Sequence, residues 1–164
     1  GSPASIKKVA DYGFNLMLDQ FASTATIVER FNLFKAEVEK RGRRFDPMSV
    51  GVCRAYYVAT NADDKARAVE NRLAAQRRMT SLAVAPGSKS SSSMMTFADT
   101  RDATEESALY GTPDEIARKL ETLRGYGIEH VLLNGPSGSR DHLRRFSKDV
   151  MSAFLKERIV GNVA

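Results

Sequence analysis

A chain of 164 residues with 42% hydrophobic and 27% charged residues has the apolar material for one compact domain, or for one piece of a larger one. No run approaches the roughly 18 consecutive apolar residues of a membrane span, the N-terminus lacks the basic segment and apolar run of a signal peptide, and the single cysteine, Cys53, excludes an internal disulfide. The net charge of +5 raises the question of nucleic acid, but the basic clusters at Lys40, Arg41, Arg43 and Arg44, at Arg77 and Arg78, and at Arg144 and Arg145 are mixed with acidic residues and carry no aromatic stacking series, so solvated helix faces are expected there.

Ser2, Pro3, Ala4 and Ser5 form a helix start in which serine caps and proline occupies the first turn, where its missing N–H costs nothing. Ile6, Val9 and Ala10 share one helical face, Gly13 ends it, and residues 14–18 make a short apolar run suited to a buried strand. Thr24 can cap a second helix, in which Ile27, Phe31, Phe34 and Val38 recur at helical spacing until Gly42 interrupts. After the turn at Asp46 and Pro47, residues 50–59 carry valine, tyrosine and small residues on both alternating faces, as a strand buried on two sides does. Residues 62–83 are rich in alanine and arginine with no glycine or proline, which predicts a long charged helix.

Pro86, Gly87 and the serines at 88 and 90–93 open a polar stretch that reads as a mobile loop over residues 85–107. Thr112, Pro113, Asp114 and Glu115 then spell a capping box with proline at the first helical position. Ile116, Leu120 and Leu123 give the buried face of that helix, Gly125 and Gly127 end it, and residues 128–133 supply a third strand. The loop 134–139 leads to a last helix packed through Leu143, Phe146, Val150 and Phe154. This wiring is α/β, with residues 14–18, 50–59 and 130–133 expected to lie parallel in one sheet and the helices outside. Three strands do not close a barrel, and a chain that opens on a helix is expected to be cut inside a βα unit.

Several segments together resemble the C-terminal half of the luciferase-like monooxygenase family. Gly111, Thr112, Pro113, Asp114, Glu115 and Ile116, continuing through Gly127, Ile128 and residues 130–133, look like its penultimate helix and eighth strand. Leu143, Phe146, Asp149, Val150, Met151, Phe154 and Leu155 are similar to its final helix, with Ser152 where proline is common. Residues 1–13 resemble the turn and helix after the fifth strand, and Gly42, Arg43, Phe45 and Asp46 the linker entering the seventh. The resemblance implies a partial TIM (β/α)₈ barrel over residues 1–164, roughly strands six to eight with their helices. It also implies a flavin-dependent oxidoreductase or monooxygenase acting on a small organic substrate, with reduced FMN or a deazaflavin as cofactor and often molecular oxygen. Active sites of such barrels collect residues from the C-terminal ends of many strands, so the isolated chain is expected to be inactive.

Ser2 and Ser5 are the candidate cofactor-binding residues, because a helix N-terminus favours phosphate and the matching turn of the family holds the FMN phosphate. The plain alternative is that Ser2 only caps the helix. The loop 85–107 falls where relatives carry a mobile active-site loop, and reads either as a lid or as a serine-rich insertion without function. Arg54 can point into the barrel toward an anion or form a strand-end ion pair. His130 is expected to be packed or bonded to backbone, and His142 to lie on an exposed helix face. Neither has a triad partner at the right spacing, so no acid, base or nucleophile is assigned. Asn134, Gly135, Ser137 and Gly138 resemble a phosphate loop in composition only, and a strand-to-helix turn is the simpler reading. Two histidines and one cysteine assemble no familiar zinc cluster, and the expected compartment is the reducing cytoplasm.

Two further readings remain open. One is a non-enzymatic half-barrel that persists by pairing its exposed strand edges, for which homo-oligomers are expected. The other, a complete small nucleotide-binding domain, is weaker because no GxGxxG or Walker loop is present.

Overall fold

The computed structural model describes residues 1–83, 98–135 and 140–155. The first helix, α1, runs Pro3–Tyr12 with Ser2 as its N-cap, and ends where Gly13 adopts a left-handed conformation (φ 72°) that a side chain would strain. The Gly13 N–H returns to the Ala10 carbonyl and the Phe14 N–H to that of Val9, so Phe14 completes the helix terminus and does not start a strand. The first strand, β1, is therefore Leu16–Leu18, shorter than expected, and Phe14 is exposed. The second helix, α2, spans Thr24–Lys40 and is capped one residue earlier than expected, by the Ser23 hydroxyl accepting the Thr26 N–H. Strand β2 is Val50–Val58, and helix α3 covers Ala62–Ala83 as the composition predicted.

The expected loop 85–107 is corrected in its second half. Residues 84–97 lie outside the described residues, but a six-residue helix, α4, occupies Arg101–Glu106 behind a Thr100 N-cap. Tertiary bonds hold it: Lys65 pairs with Glu105 at 2.6 Å, Lys119 donates to the Glu105 and Ala108 carbonyls, and the Thr104 hydroxyl meets Gln76 at 3.1 Å. A strand that the periodicity did not indicate, β3, follows at Leu109–Gly111. Helix α5, Pro113–Gly125, opens with the expected capping box: Thr112 Oγ1 accepts the Glu115 N–H and Glu115 Oε2 accepts the Thr112 N–H. Such a cap is worth about 1 kcal/mol. Gly111 fits this turn because a Cβ there would lie 2.6 Å from Glu115 Oε2. Strand β4 is His130–Asn134, and α6, Arg140–Arg145, runs on into a π-helical turn at Phe146–Met151.

Strands β1 and β4 flank β2, all parallel, and β3 pairs in parallel with the C-terminal end of β2. The expected parallel sheet is thus present, with a fourth strand added. The register decides which side chains share a face, since successive residues alternate. Leu16 pairs with Val50, Leu18 with Val52, Val52 with Val131 and Tyr56 with Leu109. This face meets Ile6 and Ala10 of α1, Ile27, Phe31, Phe34 and Val38 of α2, and Leu123 of α5 in one core, and Ile116, Phe146 and Val150 in a second. Burying each of the larger of these side chains contributes about 1.5–3 kcal/mol. The opposite face carries Met17, Gly51, Cys53, Ala55, Tyr57, Tyr110, Leu132 and Asn134. It is the face that would line a barrel interior.

The last helix differs from expectation in one residue. Phe146 and Val150 are buried, but Leu143 is 53% exposed, because the neighbouring His142 takes the inward position and Leu143 lies about 100° further round the helix.

Candidate functional site

In a parallel α/β sheet the polar groups that act on ligands gather at the strands' C-terminal ends. The turn after β1 supplies Asp19, Gln20 and Phe21. The Asp19 carboxylate accepts the N–H groups of Phe21 and Ala22 at 2.9 Å each and receives the Arg30 guanidinium at 2.9 Å. Burial works to raise the Asp19 carboxyl, but these donors outweigh it and hold it below the usual carboxylate range.

Arg72 of α3 reaches this turn. Its Nη2 donates to the Gln20 carbonyl at 2.9 Å, and Gln20 Oε1 also accepts Asn134 Nδ2 from the end of β4 at 3.1 Å. The guanidinium lies 5.7 Å from the Phe21 ring centre and 5.8 Å from that of Tyr110. Tyr110 stands 5.7 Å from Tyr57, and Tyr57 4.8 Å from His142. An unbroken series of rings and a cation therefore runs from the turn after β1, across β3 and the end of β2, to α6. Burial pulls the Arg72 pKa below the usual guanidinium value, opposed by the adjacent Tyr110.

Ser2 and Ser5 lie at one side of this end. Both are exposed, Ser2 Oγ accepts the Ser5 N–H at 3.2 Å, and the two hydroxyl oxygens are 2.9 Å apart. The capping role expected of Ser2 is thus present. Pro3 has no N–H, so Ala4 N–H and a serine hydroxyl proton remain as donors. The Arg30 guanidinium adds a cation, its atoms 3.1 Å from where a Gly1 Cβ would stand. Two hydroxyls, a helix N-terminus and a guanidinium form a donor set suited to a phosphate.

The other candidates fall elsewhere. Arg54 does not point into the barrel interior: it shares the face of Val52 and Tyr56, is 2% exposed, and donates through Nη1 to the Asp19 and Ala22 carbonyls at 3.3 and 3.2 Å. Its outward direction follows from the two-residue period of β2, and its contacts are to backbone oxygens instead of an ion-pair partner. His130 Nδ1 lies 3.3 Å from the Met48 carbonyl, as expected of a backbone-satisfied histidine, at the N-terminal end of β4. His142 is half-buried against Tyr57, which corrects its expected exposure. Asn134 belongs to the site through Gln20, whereas Ser137 and Gly138 lie outside the described residues. Among the described residues no group of His, Cys, Asp or Glu could hold a metal ion, and no helix is long and apolar enough to cross a membrane.

Sequence reasoning missed Arg72, Gln20 and Arg30. Arg72 carried a readable signal: it is spaced three and four from the buried Val69, Ala68 and Gln76, so it sits on the inward stripe of an otherwise charged helix.

Parallel strands flanked by helices on one face, with polar groups collected at the strand C-terminal ends, define a piece of a (β/α) barrel. The chain belongs to the luciferase-like monooxygenase family, whose sequence model matches residues 1–130. Among solved structures it is similar to the monooxygenase RslO1 from Streptomyces bottropensis, at 19% identity and a TM-score of 0.69, over 93% of this chain and 46% of that one. It is also similar to an F420-dependent secondary alcohol dehydrogenase in complex with an F420-acetone adduct, at 20% identity and a TM-score of 0.57, over 90% of this chain and 44% of that one. The chain thus spans less than half the length of each. No curated protein matches it.

Proposed function

We propose that this chain is the C-terminal part of a flavin-dependent barrel oxidoreductase or monooxygenase of the cytoplasm that acts on a small organic substrate. FMN is the proposed cofactor, with a deazaflavin as the alternative. The observation that carries the reading is the corner formed by Ser2, Ser5 and Arg30 beside the polar end of the sheet. When bound, the reduced cofactor would supply electrons or hydride to oxygen or substrate. The residues of this chain do three things around it. The hydrogen-bonded Ser2–Ser5 pair offers its remaining hydroxyl proton to the phosphate, beside the Ala4 N–H at the positive end of α1. Arg30, fixed by Asp19, brings positive charge to the same corner. Arg72, Tyr110 and Tyr57 form a partly desolvated wall against which a substrate lies.

The test uses the complete barrel with Ser2→Ala and Ser5→Ala combined. FMN binding is expected to weaken tenfold or more, since a hydrogen bond to a charged group is worth about 1.5–3 kcal/mol. Riboflavin, which has no phosphate, is expected to bind as before. Equal losses for both ligands by fluorescence titration, or no loss for either, would leave the serines as capping residues and remove this assignment.

The alternative reading, a half-barrel that works as an interaction module, draws on the sheet edges. Among the described residues, strands β1 and β4 each pair on one side only, with β2, and Met17 on the inner face is 69% exposed. Unpaired edges and uncovered apolar surface favour association. Light scattering of the isolated chain is therefore expected to give a dimer or larger species, and a well-folded monomer at high concentration would argue against it.

A further inference from the structure

A second polar cleft opens beside the ring series, where the end of β2, the start of α3 and α6 meet. It has a volume of 450 Å³ and is lined by Tyr57, Thr60, Asp64, Arg67, His142 and Arg145, with Asp141 at its edge. That volume lies within the range of about 300–1,000 Å³ typical of small-molecule sites. Its walls are fixed by bonds already made. The Tyr57 hydroxyl donates to Asp64 Oδ1 at 3.0 Å, and Asp64 Oδ2 accepts the Thr60 N–H at 2.9 Å and its hydroxyl at 3.1 Å. The Tyr57 ring is thus fixed through its hydroxyl, and the His142 ring tilts 41° from it at 4.8 Å.

The charges are unevenly matched. Asp64 is engaged by Arg67 in addition to Tyr57 and Thr60, and Asp141 pairs with Arg144 at 3.1 Å. Each acid therefore has its own cation, and Arg145 is left without a carboxylate partner among the described residues. A rigid aromatic wall with one surplus guanidinium at its rim selects a ligand that is flat on one side and anionic at one end. A guanidinium binds a carboxylate through two parallel N–H···O bonds, and tyrosine and imidazole rings prefer offset or edge contacts with another ring.

We propose that this cleft is a binding site for a planar aromatic carboxylate, its ring against Tyr57 and His142 and its carboxylate on Arg145. As a statement about substrate class it rests on the reading of the strand C-terminal ends as the substrate mouth, while the binding itself requires no flavin.

The test is an NMR titration of this chain, without flavin, using benzoate, benzamide and cyclohexanecarboxylate as probes. Benzoate is expected to bind saturably and to shift the ring signals of Tyr57 and His142, with the neutral benzamide about tenfold weaker for want of the charged hydrogen bonds. Cyclohexanecarboxylate, anionic but not planar, is expected to bind several-fold more weakly than benzoate. Arg145→Gln, at an exposed position where folding is insensitive, is expected to bring benzoate down to the level of benzamide. The inference is overturned by an absence of saturable benzoate binding, by equal binding to wild type and Arg145→Gln, or by cyclohexanecarboxylate binding as tightly as benzoate. Any of these leaves the comparison of FMN with riboflavin to decide the oxidoreductase reading separately.

Discussion

Phe34→Ala is expected to lower the free energy of unfolding by about 3–5 kcal/mol, and Leu143→Ala by less than about 0.5 kcal/mol. Phe34 is 1% exposed at the centre of the α2 stripe, between the helices and β1, with the Phe45 ring packed edgewise at 6.4 Å and Phe31 meeting the same ring at 5.4 Å. Removing it takes away one of the two phenylalanine rings on that stripe and leaves a void that the rigid sheet cannot close. Leu143 belongs to an apolar series in the sequence that reads just as convincingly, yet it faces solvent. Urea unfolding of the two variants separates these cases. Similar losses would mean that α6 packs through Leu143 after all, and that the placement of His142 against Tyr57 is wrong. A loss of this size is a large part of the roughly 5–15 kcal/mol that holds a domain together.

The contrast shows what kind of structure the sequence made legible. Helix α2 was readable because four apolar residues at helical spacing all meet one sheet, and α5 because its capping box is a local arrangement of four consecutive residues. Helix α4 and strand β3 were not, since six and three residues are too few for periodicity to register. Both are held from outside, α4 by Lys65, Lys119 and Gln76, which are distant along the chain, and β3 by its pairing with the end of β2. The direction of Arg54 was hidden for a different reason. A strand buried on both faces has no alternation of polar and apolar residues, so nothing in residues 50–58 says which side is the barrel interior. Of the site, the Ser2 cap was visible as local chemistry, while its link to a phosphate came from the family resemblance. Arg30 enters through its tertiary contact with Gly1, and Arg72, whose place on the inward stripe of α3 was readable, through its bond to Gln20.

Arg54→Ala is expected to cost about 3 kcal/mol or more, and Arg54→Met about 1 kcal/mol, a difference that reports what this buried cation does. The side chain is 2% exposed, and burial pushes its pKa down against the opposing pull of the Glu106 and Asp19 charges. Its Nη2 has no hydrogen-bond partner among the described residues, and a cavity of 140 Å³ lined by Glu106, Thr24 and Lys119 adjoins it. A charge held this way is stabilising only through what it ties together. Nη1 bonds the Asp19 and Ala22 carbonyls, which are the two ends of the turn that presents Gln20 to Arg72 and Asn134. Alanine removes the packed stem and leaves both carbonyls unbonded beside an enlarged cavity. Methionine keeps most of the stem volume and abolishes the desolvated charge, so part of the loss is recovered. Both variants lose the tie to the turn, so hydrogen exchange at the Phe21 and Ala22 amides, which donate to Asp19, is expected to accelerate in both while the α2 core amides respond mainly to alanine. Urea unfolding that gave under about 1 kcal/mol for Arg54→Ala, or unchanged exchange at those two amides, would show that the arginine only fills space behind the sheet.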